Sequence, residues 1–493
     1  MSTSHRDEGF RALFEPRGVL VAGVSSHPGK FGFVALHNIL TQGYAGAVFG
    51  TNREGGQVLG IPMAESVEAL PGDAVFDLVF VCTPASANVE LLRSCAARGA
   101  RAAFVTSAGY GEAGEQGRVA EQELADCAAD LGMLLVGPNG QGVVSTPASL
   151  CAQIVAPYPP RGSIGIASQS GNFVSSFQNF AVATGVGVSR AVSAGNAAAV
   201  SVPDFLEYYG NDPETSVGLA YVEGVTDGRS FFDRVRALTT TKPLVLLKGG
   251  VTGGGAQAAS SHTGALATDD RVFEGMCRQA GITRAGTIEE AFDAAATFAT
   301  QPLPRGPRVA VVTTAGGWGV VTADAISRSQ LELVALPDDL RDEIDQRLPP
   351  RWSRSNPIDF AGGETRDTIP EVLELVAAHD DVDAVIYLGL GIQSNEARLM
   401  RSGRFWPGEG LERIVAYHEH QDERFAQAAA VASTATGKPV LTATELAFTD
   451  PTNAGPSTVR ASGRLCYASA HRAVVALEHL WRYARYRARR GAA

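Results

Sequence analysis

One arrangement of apolar and polar positions recurs three times along the chain: a short β-branched run, a glycine-bearing turn, then apolar residues at helical spacing. The three stretches are GVLVAGVSSHPGKFG from Gly18, GSIGIASQSGN from Gly162 and RVAVVTTAGGWG from Arg308. Each reads as a strand that enters a tight turn and opens a helix, the first step of a parallel, doubly wound α/β sheet. Further short strands, DLVFVCT from Asp77, AAFVTSA from Ala102, PLVLLKGG from Pro243 and DAVIYLGLG from Asp383, fit the same architecture. Proline-rich breaks, VAPYPPRG ending at Gly162 and ATQPLPRGP ending at Pro307, divide the pattern. The expected fold is α/β, with three doubly wound domains at residues 1–155, 161–303 and 306–493.

Composition narrows the function. A length of 493 residues suits about three domains, each able to bury its own core. With 41 Lys and Arg against 52 Asp and Glu, the formal charge of −11 disfavours sequence-independent nucleic-acid binding, which relies on neutralising phosphates. The six cysteines show no metal-ligand or disulfide spacing, and a reducing cytosol fits them. No apolar run approaches the roughly 18 residues needed to cross a bilayer, and MSTSHRDEGF does not read as a leader. The expectation is a cytoplasmic protein that binds neither membrane nor nucleic acid.

The turns carry the candidate chemistry. In the first, Gly23, Gly29 and Gly32 do not match the G-x-G-x-x-G dinucleotide spacing. Even so, backbone N–H groups at a glycine turn, the hydroxyls of Ser25 and Ser26, the charge of Lys30 and a helix start near Phe31 together suit an anion. Arg53, Thr83 and Pro84 stand where the next strands should end, facing the same crevice. A nucleotide-like ligand and a plain tight turn both fit this segment.

In the second, Ser168, Gln169, Ser170 and Gly171 lead a helix with Phe173, Phe177, Phe180 and Ala181 on one face and Gly185 at its stop. Such a helix start stabilises a negative charge by about 0.3–1 kcal/mol, and up to about 2 when partly buried. An ordinary serine cap reads equally well. His262 lies in AASSHTGALATDD, among residues with almost no side chain. A phosphoryl-carrying imidazole needs open access, one free nitrogen and a partner for the other N–H; a lone loop histidine is also commonly just solvated. Glu223, after the strand-like VGLAYV, is the preferred carboxylate partner, and Asp227 is the weaker one. The HEH at residues 418–420 does not suit a metal, because i and i+2 do not share a helix face, and no metal site is expected.

Taken together, GVSSHPGKFG, TSAGYGEAGEQG, GPNGQG, SQSGN, SAGN, DFLEYYGNDPET, YVEGVTDGRSF, KPLVLLKGG, AASSHTGALA and RQAGITRAGTIEEAFD, in this order, resemble the α subunit of the nucleoside-diphosphate-forming acyl-CoA synthetases. This is the ADP-forming acetate–CoA ligase group related to succinyl-CoA synthetase. The resemblance spans about residues 15–300, and AGGWGV and NPIDF extend it into the third domain. It implies a Rossmann-like CoA-binding domain followed by two flavodoxin-like domains. It further implies reversible formation of acyl-CoA, ADP and phosphate from acid, CoA and ATP, with Mg²⁺, through an acyl phosphate and a phosphohistidine.

By position, His262 matches the phosphohistidine, Glu223 the acid that steadies it, Ser168 to Gly171 the phosphate-receiving helix start, and Asn139 part of the coenzyme site. Two departures stand out. Arg53 replaces a lysine that the family shows after the second strand, and GPNGQG has Gly140 and Gln141 where other residues are expected, leaving the acid undetermined. No stretch reads as an ATP-grasp domain, so ATP and ADP are expected on a separate ATP-grasp β subunit, in a heterotetramer, with a small organic acid as substrate. The alternative is a CoA-binding or regulatory module that keeps the fold without turnover.

Overall fold

A computed structural model describes residues 3–225, 227–257, 269–362 and 367–491. The first sheet contains β1 (Gly18–Ala22), β2 (Ala47–Thr51), β3 (Gln57–Val58), β4 (Ile61–Ala64), β5 (Leu78–Val81), β6 (Ala102–Val105) and β7 (Leu134–Val136). Their spatial order is β3-β4-β2-β1-β5-β6-β7, parallel except between β3 and β4. β1, β5 and β6 are buried along their whole length, which is where short β-branched and small apolar runs go when helices cover both faces of a parallel sheet.

The second sheet contains β8 (Gly142–Ser145), β9 (Leu150–Gln153), β10 (Arg161–Ser168), β11 (Val188–Ser193), β12 (Val217–Val222), β13 (Leu244–Lys248) and β14 (Thr283–Ala285), in the order β14-β13-β12-β10-β11-β8-β9. β10 to β14 are parallel, as the repeated strand–turn–helix pattern requires. The hairpin β8–β9 precedes the first proline break, yet it extends this second sheet by pairing antiparallel with β11.

These two sheets share one compact unit, Met1–Ala183 with Gly187–Ile288. The helix Thr3–Phe14, which comes before the first sheet, is packed against the helix Val202–Asn211 of the second. Phe10 and Phe14 each stack on Tyr208 with ring centroids 5.0 Å apart. Arg190 of β11 is fully buried and ties the same elements together. Its guanidinium bonds Asp212 at 3.1 Å and Glu15 at 2.5 Å, also donates to Ser145, and lies over the Phe14 ring at 5.5 Å.

The other unit, Thr184–Val186 with Glu289–Ala493, holds the third sheet. It is built from β15 (Arg308–Thr313), β16 (Glu332–Leu333), β17 (Ile358–Asp359), β18 (Ala384–Leu388), β19 (Val440–Ala443) and β20 (Cys466–Tyr467), in the order β16-β15-β18-β19-β20 with β17 also on β15. The helix Ile288–Thr300 lies before the second proline break but packs in this unit. Asp293 receives both Arg472 Nε (2.6 Å) and Nη2 (2.7 Å), and the Gln301 carboxamide bonds the backbone of Val440 on both sides (3.1 and 3.2 Å). Among the described residues no helix is long and apolar enough to cross a membrane.

Candidate active site

In the first sheet the strand order turns back between β1 and β5, and a cleft of about 510 Å³ opens there at the carboxyl edge. Gly23, Ser25, Gly29, Lys30, Phe31, Gly32 and Cys82 line it. Gly23 takes φ +82°, and its N–H and that of Val24 bond the Thr51 carbonyl (3.2 and 2.9 Å), which anchors the turn to the end of β2. Gly32 must be glycine for a second reason: a Cβ there would lie 2.3 Å from the Gly23 carbonyl oxygen, so only hydrogen lets the helix Phe31–Thr41 start against the turn. Lys30 caps that helix without a side-chain bond to it, and Phe31 and Gly32 of its first turn line the cleft. On the far wall burial pushes the Cys82 thiol up to about 12, so it stays neutral.

The sequence-predicted residues divide around this cleft. Gly23, Ser25 and Lys30 line it, and Ser26 is exposed on the same loop. Arg53 is exposed beyond β2, while Thr83 and Pro84 follow β5, so all three lie at the same sheet edge. The Thr83 hydroxyl is engaged with Asn88 (2.7 Å), which in turn donates to Tyr110 (2.8 Å). Asn139 stands apart. It follows β7 at the sheet's other side, has φ +60°, and donates to Asn196 of the second sheet's loop at 3.3 Å.

At the carboxyl edge of the second sheet, the buried Ser168 hydroxyl closes the strand-end turn, donating to the Ser170 carbonyl (2.6 Å) and accepting the Ser170 N–H (3.1 Å). The helix Gly171–Thr184 begins there. Its buried stripe is Val174, Phe177, Gln178 and Ala181; Phe173, expected in that stripe, instead stacks on Tyr221 with centroids 3.7 Å apart. Gln169 acts as a clasp. Its Oε1 accepts the Glu223 N–H at 2.5 Å and the Gly224 N–H at 3.4 Å, and its Nε2 donates to the Gly224 carbonyl at 3.1 Å.

Glu223, 8% exposed, is thereby held beside the helix start, and its Oε1 accepts the Tyr221 hydroxyl at 3.2 Å. Burial, reinforced by that carboxylate, raises the Tyr221 pKa, so the phenol remains a donor. Asp227 caps the helix Gly228–Thr239 by accepting the Ser230 N–H at 2.9 Å. His262 lies outside the described residues. Lys248, at the end of β13, is buried with its ammonium on the carbonyls of Gly249 and Gly250 (3.0 and 3.4 Å), and burial lowers its pKa.

The strand-end turn recurs in the third sheet: the Thr313 hydroxyl donates to the Ala315 carbonyl (2.9 Å) and accepts its N–H (3.0 Å). The start of the neighbouring helix Ile392–Arg401 is already occupied, because the buried Asp422 carboxyl accepts the N–H groups of Gly391 (3.0 Å) and Ser394 (2.6 Å).

Three family models match this chain: a CoA binding domain over residues 17–146, a succinyl-CoA ligase like flavodoxin domain over 161–298, and a Ligase-CoA domain over 309–391. The α subunit of acetate–CoA ligase [ADP-forming] I from Pyrococcus furiosus is 34% identical over 381 residues, which cover 76% of this chain and 82% of that one. This chain belongs to the ADP-forming acyl-CoA ligase family. By class, an ADP-forming acyl-CoA ligase is an acid–thiol ligase. A second relative, acetate–CoA ligase [ADP-forming] I of Archaeoglobus fulgidus, is 34% identical over 374 residues, and the match fills 54% of that longer chain. Among solved structures, the dinucleotide forming acetyl-coenzyme A synthetase 1 of Ca. Korarchaeum cryptofilum, in complex with phosphate and ADP, matches with a TM-score of 0.82 at 29% identity over 97% of each chain. The α/β fold with a CoA-binding and a flavodoxin-like part is the one expected from the sequence.

Sequence reasoning gave no role to Tyr221 or Lys248, noted Gln141 only as a departure that leaves the acid undetermined, and took Gln169 only as part of an anion-binding start. YVEG, LKGG and GPNGQG were all in view, but the contacts that make these residues matter join positions about 30 to 55 apart along the chain, or rest on ring stacking and burial.

Proposed function

We propose that this chain is the catalytic α chain of a reversible acid–CoA ligase that converts acid, CoA and ATP to acyl-CoA, ADP and phosphate. Residues 1–155 hold CoA, 161–303 carry the phosphoryl group and 306–493 form a third domain of the same kind. Gly23, Ser25, Ser26, Lys30 and Arg53 supply donors and charge to the phosphates of CoA, with Thr83 and Pro84 shaping the same edge and Asn139 at its far side. In the acyl-CoA-consuming direction a phosphate oxygen attacks the thioester carbon, the C–S bond breaks and CoA leaves as thiolate, giving an acyl phosphate. Neutral His262 then attacks phosphorus, the bond to the acyl oxygen breaks and the acid leaves as carboxylate. A terminal oxygen of ADP finally takes the phosphoryl group from nitrogen. Glu223 accepts the second imidazole N–H, and the Gly171 N–H, at the helix start that the Ser168–Ser170 turn shapes, stabilises the transferred group; each step depends on positioning and charge.

The observation that supports this reading is the Gln169 clasp, in which one side chain fixes the helix start that would receive phosphate and the loop that carries Glu223. Among the described residues no group of three or more His, Cys, Asp or Glu is placed to hold a metal ion. Mg²⁺ arrives with the nucleotide, on an ATP-grasp β subunit that assembles with this chain in the cytoplasm as a heterotetramer. The complex incubated with γ-labelled ATP is expected to place acid-labile phosphate on this chain, and His262→Asn to abolish it. Label that persists on the variant refutes the phosphohistidine. A complex that binds CoA yet takes no label in any form supports the CoA-binding module instead.

A further inference from the structure

The carboxyl edges of the first two sheets meet along one seam. The loop after β7 interlocks with the loop after β11: the Asn196 N–H bonds the Pro138 carbonyl at 2.8 Å and the Ala198 N–H bonds that of Gly137 at 3.0 Å. The fit is close enough that a Cβ on Gly195, at φ +57°, would come within 2.1 Å of the Pro138 oxygen. Gln141 leaves this seam toward the start of the helix Gly171–Thr184. Its carboxamide lies where a side chain on residue 171 would stand, with Cδ 2.1 Å from an ideal Cβ there.

Two polar groups at this seam are unmet. Gln141 reaches Asn172 Oδ1 through Nε2 at a long 3.4 Å, and its Oε1 is buried with no partner among the described residues. Turning the amide over changes which end is unmet but leaves one either way. Ser193, 1% exposed, has no partner for its hydroxyl among the described residues; it is in register with Ser168, whose hydroxyl lies beneath the helix start on the same sheet face. A buried polar group left unpaired costs about 1–3 kcal/mol, and such groups persist where a ligand completes them.

We propose that Gln141, with Ser193, selects the acid, and that the preferred acid carries a hydroxyl on its carbon chain; this rests on the ligase reading above. In that reaction the acyl carbon must meet both the CoA sulfur from the first sheet's cleft and the phosphate at the second sheet's helix start, so the acyl chain lies in the seam between them. A hydroxyl both donates to a carboxamide oxygen and accepts from a serine hydroxyl, so it satisfies both groups in either amide orientation. An unsubstituted chain leaves both unmet. A second carboxylate only accepts, and it would enter a seam where Glu112 and Glu121 already converge on the Asn196 amide at 2.5 and 2.7 Å.

The test uses the complex with its nucleotide-binding subunit and compares kcat/KM for glycolate with acetate, 3-hydroxypropionate with propionate, 4-hydroxybutyrate with butyrate, and succinate. At least one hydroxy acid is expected to exceed its unsubstituted partner by about tenfold or more, since a site built to bond a hydroxyl discriminates strongly against its absence. Gln141→Leu, which keeps the volume, is expected to reduce that ratio about tenfold or more, and Ser193→Ala to reduce it in the same direction. CoA affinity and the thermal midpoint report that each variant is folded. Preference for unsubstituted acids or succinate, or a ratio unmoved by both variants, overturns the proposal while leaving the ligase reading intact. Turnover of no acid by the wild-type complex overturns both.

Discussion

Replacing Gln169 by Leu removes the clasp while keeping the side chain's bulk. Two well-formed hydrogen bonds are lost, the Glu223 N–H to Oε1 at 2.5 Å and Nε2 to the Gly224 carbonyl at 3.1 Å, together with a marginal third at 3.4 Å. At about 1 kcal/mol net for each good bond, the direct loss is about 2 kcal/mol. If the loop stays in place, the Glu223 N–H is also left facing a methyl group, which adds about 1–3 kcal/mol. The loop therefore either shifts at a cost near 2 kcal/mol or stays at a cost of about 3–5 kcal/mol. The shift is the cheaper outcome and misplaces Glu223 relative to the helix start; with tenfold in rate for each 1.36 kcal/mol, phosphoryl transfer should fall about 30-fold. Single-turnover labelling from γ-labelled ATP measures the rate, and calorimetry with CoA measures the other site. CoA affinity should hold, because its cleft is formed by the first sheet. A change in labelling of less than about threefold, or a parallel loss of CoA affinity, would refute the reasoning.

Two stability predictions concern buried charges. Arg190→Met leaves Asp212, 4% exposed, without its cation, and should destabilise the unit that holds the first two sheets by about 3–5 kcal/mol, read from urea unfolding followed by hydrogen exchange at β11. Adding Asp212→Asn should restore part of that loss, and additive losses would argue against the pair. For Asp422, burial raises the pKa despite the two backbone N–H groups it accepts, so the folded state binds the proton more tightly than the unfolded state. Its favourable contribution is then fully present below the ordinary carboxylate pKa and is lost as pH rises through that value to the raised folded one. Asp422→Asn should flatten this segment of the stability–pH curve, measured as exchange protection of the helix Ile392–Arg401 against pH.

The three strand–turn–helix openings were legible because each is written locally: β-branched residues make the strand, a glycine or small polar residue makes the turn, and helical spacing follows. Gly23, Ser25 and Lys30 were legible for the same reason, and all three line the first cleft. Pairing across the chain was not. Nothing in the short strands around Val143 and Ala152 marks the first as an antiparallel partner of β11 and the second as the edge beyond it, since alternation and β-branching specify a strand but not its neighbour. The proline breaks drew attention as separators, although the helix Ile288–Thr300 packs beyond the second of them through Asp293 and Gln301. Asp227, weighed as an imidazole partner, serves as a helix cap, a use of aspartate that sequence alone cannot tell from the other.

The hairpin β8–β9, together with the helix Thr3–Phe14, crosses over to the neighbouring sheet, and the helix Phe31–Thr41 binds back to it where Asn38 donates to the Gln153 carbonyl at 2.9 Å. A protease cut or a gene split at VAPYPPRG would consequently not yield two self-sufficient pieces. The upstream fragment would carry a bare two-stranded ribbon and a stripped aromatic helix, and the downstream one an open strand edge with a guanidinium left to Asp212 alone.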